Sequence, residues 1–408
     1  MRIAVTSNGP GEFAGWVRPL VAALLRLEPA TEIALFFVPD DYATGREPDV
    51  ARRLFPSVRV IGAREYVRFA LGQRVPGAPE AADVVQYLGG DLLHAARVRA
   101  RLGGSARTYK FARKGVAKRL DRAYALDARN AGELVRAGVP AGRVEIVGNL
   151  AIDGALAEAA GEFAFAPGTH VEPGGVLFMP GTRKHEVANM YPFFLQTAIV
   201  LRARRPDLPI AFAVSPFTSD EEVARALEAG GHRNAWGARG SVVRAGDGVA
   251  LQPAAGGAPF PVVRDAMRHA AQARLVVTLP GTKCIELAAL GVPAIVCVPL
   301  NAPEVVVING PLQYLDRIPL AGIALKRAIV VGVDARFRYT AQPNIDTDGM
   351  LMPELRGTLM PGEVARRVAE YADDEPARVR AAERLRALYA AHAGAAERMA
   401  RSLLGRTA

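Results

Sequence analysis

Four short segments set glycine beside charged or hydroxyl side chains directly after an apolar run. The most informative is Leu279-Pro280-Gly281-Thr282-Lys283-Cys284-Ile285-Glu286. A helix opening at Thr282 would aim its unpaired first-turn amides at the Gly281–Thr282 turn, an arrangement that suits phosphate. Glu286 lies one turn further in, where a carboxylate can accept both hydroxyls of a ribose. A lone Glu on a helix is usually solvated, but between Ile285 and Leu287 a bare charge would be costly. The second segment is Pro180-Gly181-Thr182-Arg183-Lys184-His185-Glu186-Val187. Gly181 and Thr182 can present backbone amides, and Arg183 can grip a diphosphate bidentately. The alternative is a surface basic pair, which the helix dipole disfavours at that end unless an anion is bound.

The third segment, Ser7-Asn8-Gly9-Pro10-Gly11-Glu12, has glycines that let a ligand approach the backbone. It is neither GxGxxG nor a P-loop, and it reads equally well as a tight strand-to-helix turn. The fourth is Gly89-Gly90-Asp91, in which Asp91 fits the N-cap of a helix opening at Leu92. His94, one turn on, reads as a bystander. Asp346-Thr347-Asp348 is weak evidence for a cation site, so no metal or other cofactor is expected.

Alternating strands and helices must position these loops. Apolar runs at 2–7, 32–38, 58–62, 82–89, 107–112, 122–127 and 144–149 read as strands. Helical periodicity falls at 15–27, 92–102 and 130–137. Residues 150–173, rich in Ala, Gly, Glu and Pro, are the expected linker. The pattern then restarts, with strands at 175–181, 209–216, 274–281 and 293–300 and helices at 186–204, 219–229 and 282–290. Residues 231–260 give no assignment. Such alternation predicts parallel sheets of βαβ units, with function in the loops at the carboxyl ends of the strands. A chain of 408 residues should split into two such domains. The expectation is an α/β protein with two Rossmann-like, doubly wound domains facing across a cleft, over 1–155 and 172–365. Residues 366–408 would be C-terminal helices able to pack back on the first domain.

Half of the residues are hydrophobic and 23% are charged, which argues against wholesale disorder. The two cysteines, Cys284 and Cys297, lie in apolar runs and read as buried hydrophobes. The N-terminal run does not read as a signal peptide, and no stretch is long and apolar enough for a membrane span, so a cytoplasmic protein is expected. The net charge is +10, and the stretch Arg97–Arg122 holds ten basic residues against one acid, Asp121. That run suits peripheral contact with an anionic membrane as well as it suits a solvated helix face. Nucleic acid is not expected, because no recognition motif or aromatic array accompanies the charge.

The stretch Thr278–Pro299 resembles the donor-nucleotide segment of GT-B glycosyltransferases. Within them the chain is most similar to the lipid-A-disaccharide synthases. PGTRKHEV (180–187) is close to that family's PGSRxxEV motif, and GTKCIELAALGVPAIV (281–296) to its Gly-Thr-Ala-x-Leu-Glu segment. GPGEFAGWV (9–17), VGNLAID (147–153) and QPNIDTDGMLMPEL (342–355) resemble three further family loops. The resemblance implies an inverting transfer of a glucosamine-type sugar from a UDP-sugar to a lipid-linked or phosphorylated sugar acceptor. It implies that Asp91 is the general base, that Glu12 lines the acceptor side, and that Gln342 and Asn344 contact the donor together with Arg183, Gly181, Thr182, Gly281, Thr282 and Glu286.

The chain departs from the family where a Ser/Trp-rich, membrane-facing segment would be. TYKFARKGVAKRL (108–120) stands there without tryptophan. Two rivals remain: an epimerase or hydrolase acting on a UDP-sugar, and a non-catalytic nucleotide-sugar-binding relative. The first generally needs clustered carboxylates and histidine, which the linear sequence does not display.

Overall fold

The computed structural model describes residues 1–40, 43–163, 171–232, 236–300 and 337–406. The chain forms two compact units, Met1–Ala157 with Tyr389–Ala408, and Glu158–Leu388.

The first unit is built on a seven-stranded sheet. Its strands are β1 (Arg2–Ser7), β2 (Glu32–Phe37), β3 (Arg59–Ile61), β4 (Val84–Tyr87), β5 (Ser105–Tyr109), β6 (Arg122–Ala125) and β7 (Val144–Ile146). They lie in the order β3-β2-β1-β4-β5-β6-β7, and every pairing is parallel. All four residues of β4 are buried, as expected of a central strand covered on both faces. On one face Phe36, Tyr66, Phe69, Tyr87 and Leu92 pack together.

The expected linker 150–173 begins instead as a helix (Leu150–Ala159), whose residues up to Ala157 belong to this unit. Its Asp153 carboxylate accepts from the amides of Gly394 (2.7 Å) and Ala396 (2.5 Å), so it caps the Ala395–Leu403 helix. The C-terminal segment that joins the first unit begins at Tyr389. Pro361–Asp373 and Glu375–Leu388 group with the second unit.

The second unit carries an eight-stranded sheet of β8 (Val176–Phe178), β9 (Ile210–Ala213), β10 (Gly240–Ala245), β11 (Gly248–Pro253), β12 (Phe260–Val263), β13 (Leu275–Thr278), β14 (Ala294–Pro299) and β15 (Glu354–Gly357). The order is β10-β11-β12-β9-β8-β13-β14-β15, antiparallel at β10–β11 and β11–β12 and parallel elsewhere. The stretch left unassigned from sequence thus supplies, through β10 and β11, an antiparallel edge. Gly246-Asp247 makes the two-residue turn of its hairpin, with Gly246 at φ +57°. Phe178 stacks on Phe212 at 5.3 Å in a core that includes Phe193, Phe194 and Phe260. Cys284 and Cys297 are fully buried, and burial pushes both thiols up to about 12. Among the described residues, no helix is long and apolar enough to cross a membrane.

Candidate functional sites at two topological switch points

Each sheet reverses its winding once. In the first unit β1 leads outward to β2 on one side, while β4 leads to β5 on the other. In the second, β8 leads to β9 and β13 to β14 on opposite sides. Connections diverging from two adjacent parallel strands leave a crevice at their carboxyl ends, where ligands of open α/β sheets bind. The four segments singled out in the sequence are the loops at these two points.

In the second unit, β13 runs through Leu279-Pro280-Gly281 into the Thr282–Leu290 helix. Gly281 stands at φ +154° with open space where a Cβ would be, and both it and Thr282 are exposed. Glu286 is 6% exposed, and its Oε2 accepts from Lys283 Nζ at 2.5 Å. A carboxylate is therefore held one turn behind the start of a helix whose first two residues, Thr282 and Lys283, precede its first backbone bond, from Cys284 N to Gly281 O.

The neighbouring β8 loop is already occupied by its own side chain. Arg183 is the N-cap of the Lys184–Arg204 helix, and Glu186 Oε2 accepts from the amides of Thr182 (2.8 Å) and Arg183 (3.0 Å). Gly181, at φ +100°, makes room: a Cβ there would stand 2.4 Å from Glu186 Oε2. The amide of Thr182 expected to hold phosphate is thus spent on a carboxylate, and the partly exposed Arg183 guanidinium lies 3.5 Å from the same carboxyl group. Basic residues tolerate this helix start because Glu186 supplies the anion.

Asn344 has a different place from the one expected. It is fully buried; its Nδ2 donates to Met352 O and Glu354 Oε1, and its Oδ1 accepts from the amides of Leu351 and Met352. All its hydrogen-bonding capacity is used to fold its own loop, so it has none left for a donor sugar. Glu354 completes that fold by accepting from the amides of Thr340 and Ala341, a role the sequence reading missed. Gln342 donates to Asp346 at 2.7 Å, on the outside of the Gln342–Thr347 helix.

In the first unit the β1 and β4 loops meet closely. A Cβ on Gly89, at φ +156°, would fall 2.3 Å from Asn8 Oδ1 and 3.1 Å from Glu12 Cβ. Glu12 ends a short Pro10–Glu12 helical turn that continues as a π-helix over Phe13–Val17, so the helix starts earlier than position 15. Asp91 is the N-cap of the Leu92–Leu102 helix: Oδ1 accepts from Leu93 N at 2.9 Å, while Oδ2 pairs with Arg113 at 2.8 Å. Asn8 Nδ2 donates to Asp40 Oδ2 at 2.8 Å, bringing in the loop after β2. Tyr87, whose hydroxyl donates to Gly90 O, is held above the usual phenol range by burial and then by Glu12, Asp91 and Asp40.

Three carboxylates therefore share one neighbourhood, with His94 beside them. Their separation in sequence, from position 12 to 94, hid this cluster. The buried oxygens Ser7 Oγ, Asn8 Oδ1 and Gln86 Oε1 have no hydrogen-bond partner among the described residues. The carboxylates do not converge as metal ligands would, and no such group of three occurs among the described residues.

The basic stretch divides. Arg99 pairs with Asp121, Arg107 donates to Tyr124 and Ser402, and Arg122 pairs with Glu145, so these build the unit. Lys114, Lys118 and Arg119 stay exposed, and the half-exposed Phe111 packs against Trp16.

Comparison with known proteins bears on the fold more than on the activity. No protein-family model matches the chain. It is 26% identical over 201 residues to lipid-A-disaccharide synthase of Geobacter sulfurreducens, a match spanning 48% of this chain and 44% of that protein. The chain thus matches less than half the length of this curated relative. Among solved structures, S. aureus MnaA with UDP is similar at a TM-score of 0.59 and 12% identity, covering 100% of this chain and 97% of that one. UDP-GlcNAc 2-epimerase of Neisseria meningitidis, solved with UDP-GlcNAc, gives 0.51 and 10% with full coverage of both chains. The fold is of the GT-B type. Its two Rossmann-like domains match those of UDP-GlcNAc 2-epimerase structures. The narrower resemblance to lipid-A-disaccharide synthases has support over about half of the chain only.

Proposed function

We propose that this chain is a UDP-sugar enzyme whose second unit binds the nucleotide and whose first unit supplies acid–base groups. The observation that carries the reading is buried Glu286, one turn inside a helix that opens at the β8/β13 switch point. Glu286 would accept the ribose hydroxyls, the Thr282–Lys283 turn would take the diphosphate, and Arg183 would add a bidentate cation.

The chemistry favoured by the first unit is proton transfer on the sugar itself. Glu12, Asp40 and Asp91 around Tyr87, with His94 beside Asp40 and Asp91, would supply the carboxylate and imidazole groups for epimerisation or hydrolysis of a UDP-sugar. The likeness in fold to UDP-GlcNAc 2-epimerases supports the same reading. The match to the Geobacter enzyme supports a second one, hexosaminyl transfer to a lipid-linked or phosphorylated sugar with Asp91 as base and Glu12 on the acceptor side.

Incubation with UDP-GlcNAc in deuterated water, without acceptor, separates them. Inverting a carbon that bears hydrogen breaks that C–H bond, so a second UDP-hexosamine carrying deuterium marks epimerisation, and free sugar marks hydrolysis. UDP-GlcNAc that binds but persists until a sugar acceptor is added marks transfer. No detectable binding of UDP or UDP-GlcNAc overturns the whole reading.

We further propose that contact with an anionic membrane, in either case, runs through Lys114, Lys118 and Arg119. At about 1 kcal/mol each near such a surface, changing all three to alanine should lower vesicle binding on the order of a hundredfold at low salt. Wild-type protein that ignores anionic vesicles would refute this.

A further inference from the structure

His94 was read from sequence as a bystander, and the structure gives it a defined partner. Tyr66, on the Ala63–Ala70 helix, is 2% exposed, and its hydroxyl lies 2.7 Å from His94 Nδ1 with the two rings edge to face. No other hydrogen bond is made by the Tyr66 hydroxyl among the described residues. Hydrogen-bond accounting favours one tautomer of the ring. A buried phenol whose proton found no acceptor would bear a desolvation penalty, and among the described residues its hydrogen-bond partner is His94 Nδ1, which accepts only when bare. The neutral ring then carries its proton on Nε2. The Cδ2 edge, next to Nε2, faces the loop: it would sit 3.8 Å from a Cβ on Gly90.

We infer that His94 is a specificity-determining hydrogen-bond donor, held as the neutral Nε2–H tautomer by Tyr66 and offering that proton to a substrate oxygen at the β1/β4 switch point. Its neighbours Asp40 and Asp91 are acceptors, and Asn8 leaves an oxygen without a partner among the described residues. A donor among acceptors is what a polyhydroxyl ligand needs, because each sugar hydroxyl both donates and accepts. The identity of that ligand as a UDP-sugar or its acceptor rests on the functional reading above; the tautomer does not.

The charged and titratable groups around the ring agree. Tyr66 faces it from its helix, Asp40 from the loop after β2, and Asp91 and Arg97 from its own helix. Burial depresses the imidazole's proton affinity, Asp91 and Asp40 oppose that, and Arg97 reinforces it.

Two-bond 1H–15N correlation of the ring nitrogens in the wild-type protein at pH 7 tests the first half without any substrate. The expected spectrum is that of a neutral ring protonated at Nε2. A ring protonated at Nδ1, or an imidazolium, overturns the inference. Tyr66→Phe keeps the ring in the core and removes the proton that stabilises a bare Nδ1, so the midpoint of His94 protonation should rise; an unchanged midpoint also counts against it.

The second half uses UDP-GlcNAc and, for transfer, a sugar acceptor. His94→Phe should raise the KM or Kd of the ligand by about tenfold, and His94→Gln, which keeps an N–H, should recover part of that. Equal affinity for all three proteins, with His94 resonances unmoved by saturating ligand, overturns the inference and leaves the functional reading standing. Wild type that binds no UDP-sugar sinks the functional reading, while the tautomer is still decided by the spectrum.

Discussion

The carboxylate of Glu186 accepts the amide proton of Thr182 at 2.8 Å, occupying the helix end that the sequence offers to a phosphate. A diphosphate using these amides would have to displace a carboxylate that is 7% exposed and also bonded to the Arg183 amide. Loss of this cap through Glu186→Ala should therefore cost about 1 kcal/mol of stability and change UDP affinity little. Arg183→Ala, in contrast, should weaken UDP binding about tenfold or more, through the lost charge-assisted pair. Calorimetric titration with UDP decides; tighter UDP binding by Glu186→Ala would return the phosphate to the Thr182 amide.

Glu286 carries the nucleotide-binding proposal and has a direct test. Glu286→Gln retains shape and removes the charge that strengthens hydrogen bonds from ribose hydroxyls. A loss of about 1.5–3 kcal/mol is expected, or about ten- to a hundredfold in the Kd for UDP. The comparison with UMP and with inorganic diphosphate localises the effect: UMP should lose as much as UDP, and diphosphate should lose nothing. An unchanged Kd for UDP removes Glu286 from the site.

Asp91 has two jobs that one substitution can separate. Asparagine caps a helix as well as aspartate does, so Asp91→Asn should leave the Leu92–Leu102 helix and the melting temperature nearly unaltered. It cannot take up a proton. If Asp91 is the base, turnover should fall by a factor on the order of 10² or more. Turnover within threefold of wild type would leave Asp91 as a cap and an Arg113 partner only.

Asp153 fastens the C-terminal segment to the first unit. Asp153→Ala would strip the acceptor from the amides of Gly394 and Ala396. About 1–2 kcal/mol of local stability should go with it. Hydrogen exchange should report this as lost protection over residues 395–403, while the Thr282–Leu290 helix of the other unit keeps its protection. Unaltered exchange in both would show the cap to be dispensable.

The sequence by itself carried the alternation of buried strands and helices, because parallel strands covered on both faces must be continuously apolar, as in Leu275–Thr278 and Ala294–Pro299. It carried the Gly281–Glu286 turn for a similar reason: glycine, helix start and buried acid are local signals within one stretch of chain. Even the Gly246-Asp247 turn was present to be read, as a two-residue hairpin connection masked by its glycine-rich surroundings.

Tertiary structure decided what depends on which strands become neighbours. Only the strand order puts β1 beside β4 and β8 beside β13, and so turns ordinary βα loops into switch points. Only packing brings Asn8, Asp40, Tyr66, Asp91 and His94 together from three separate loops and two helices. It likewise spends Asn344 wholly on its own loop and gives the Thr182 amide to Glu186. Local propensity fixes the element in which a side chain lies; which partner satisfies it is set by long-range contacts, whose geometry no single segment encodes.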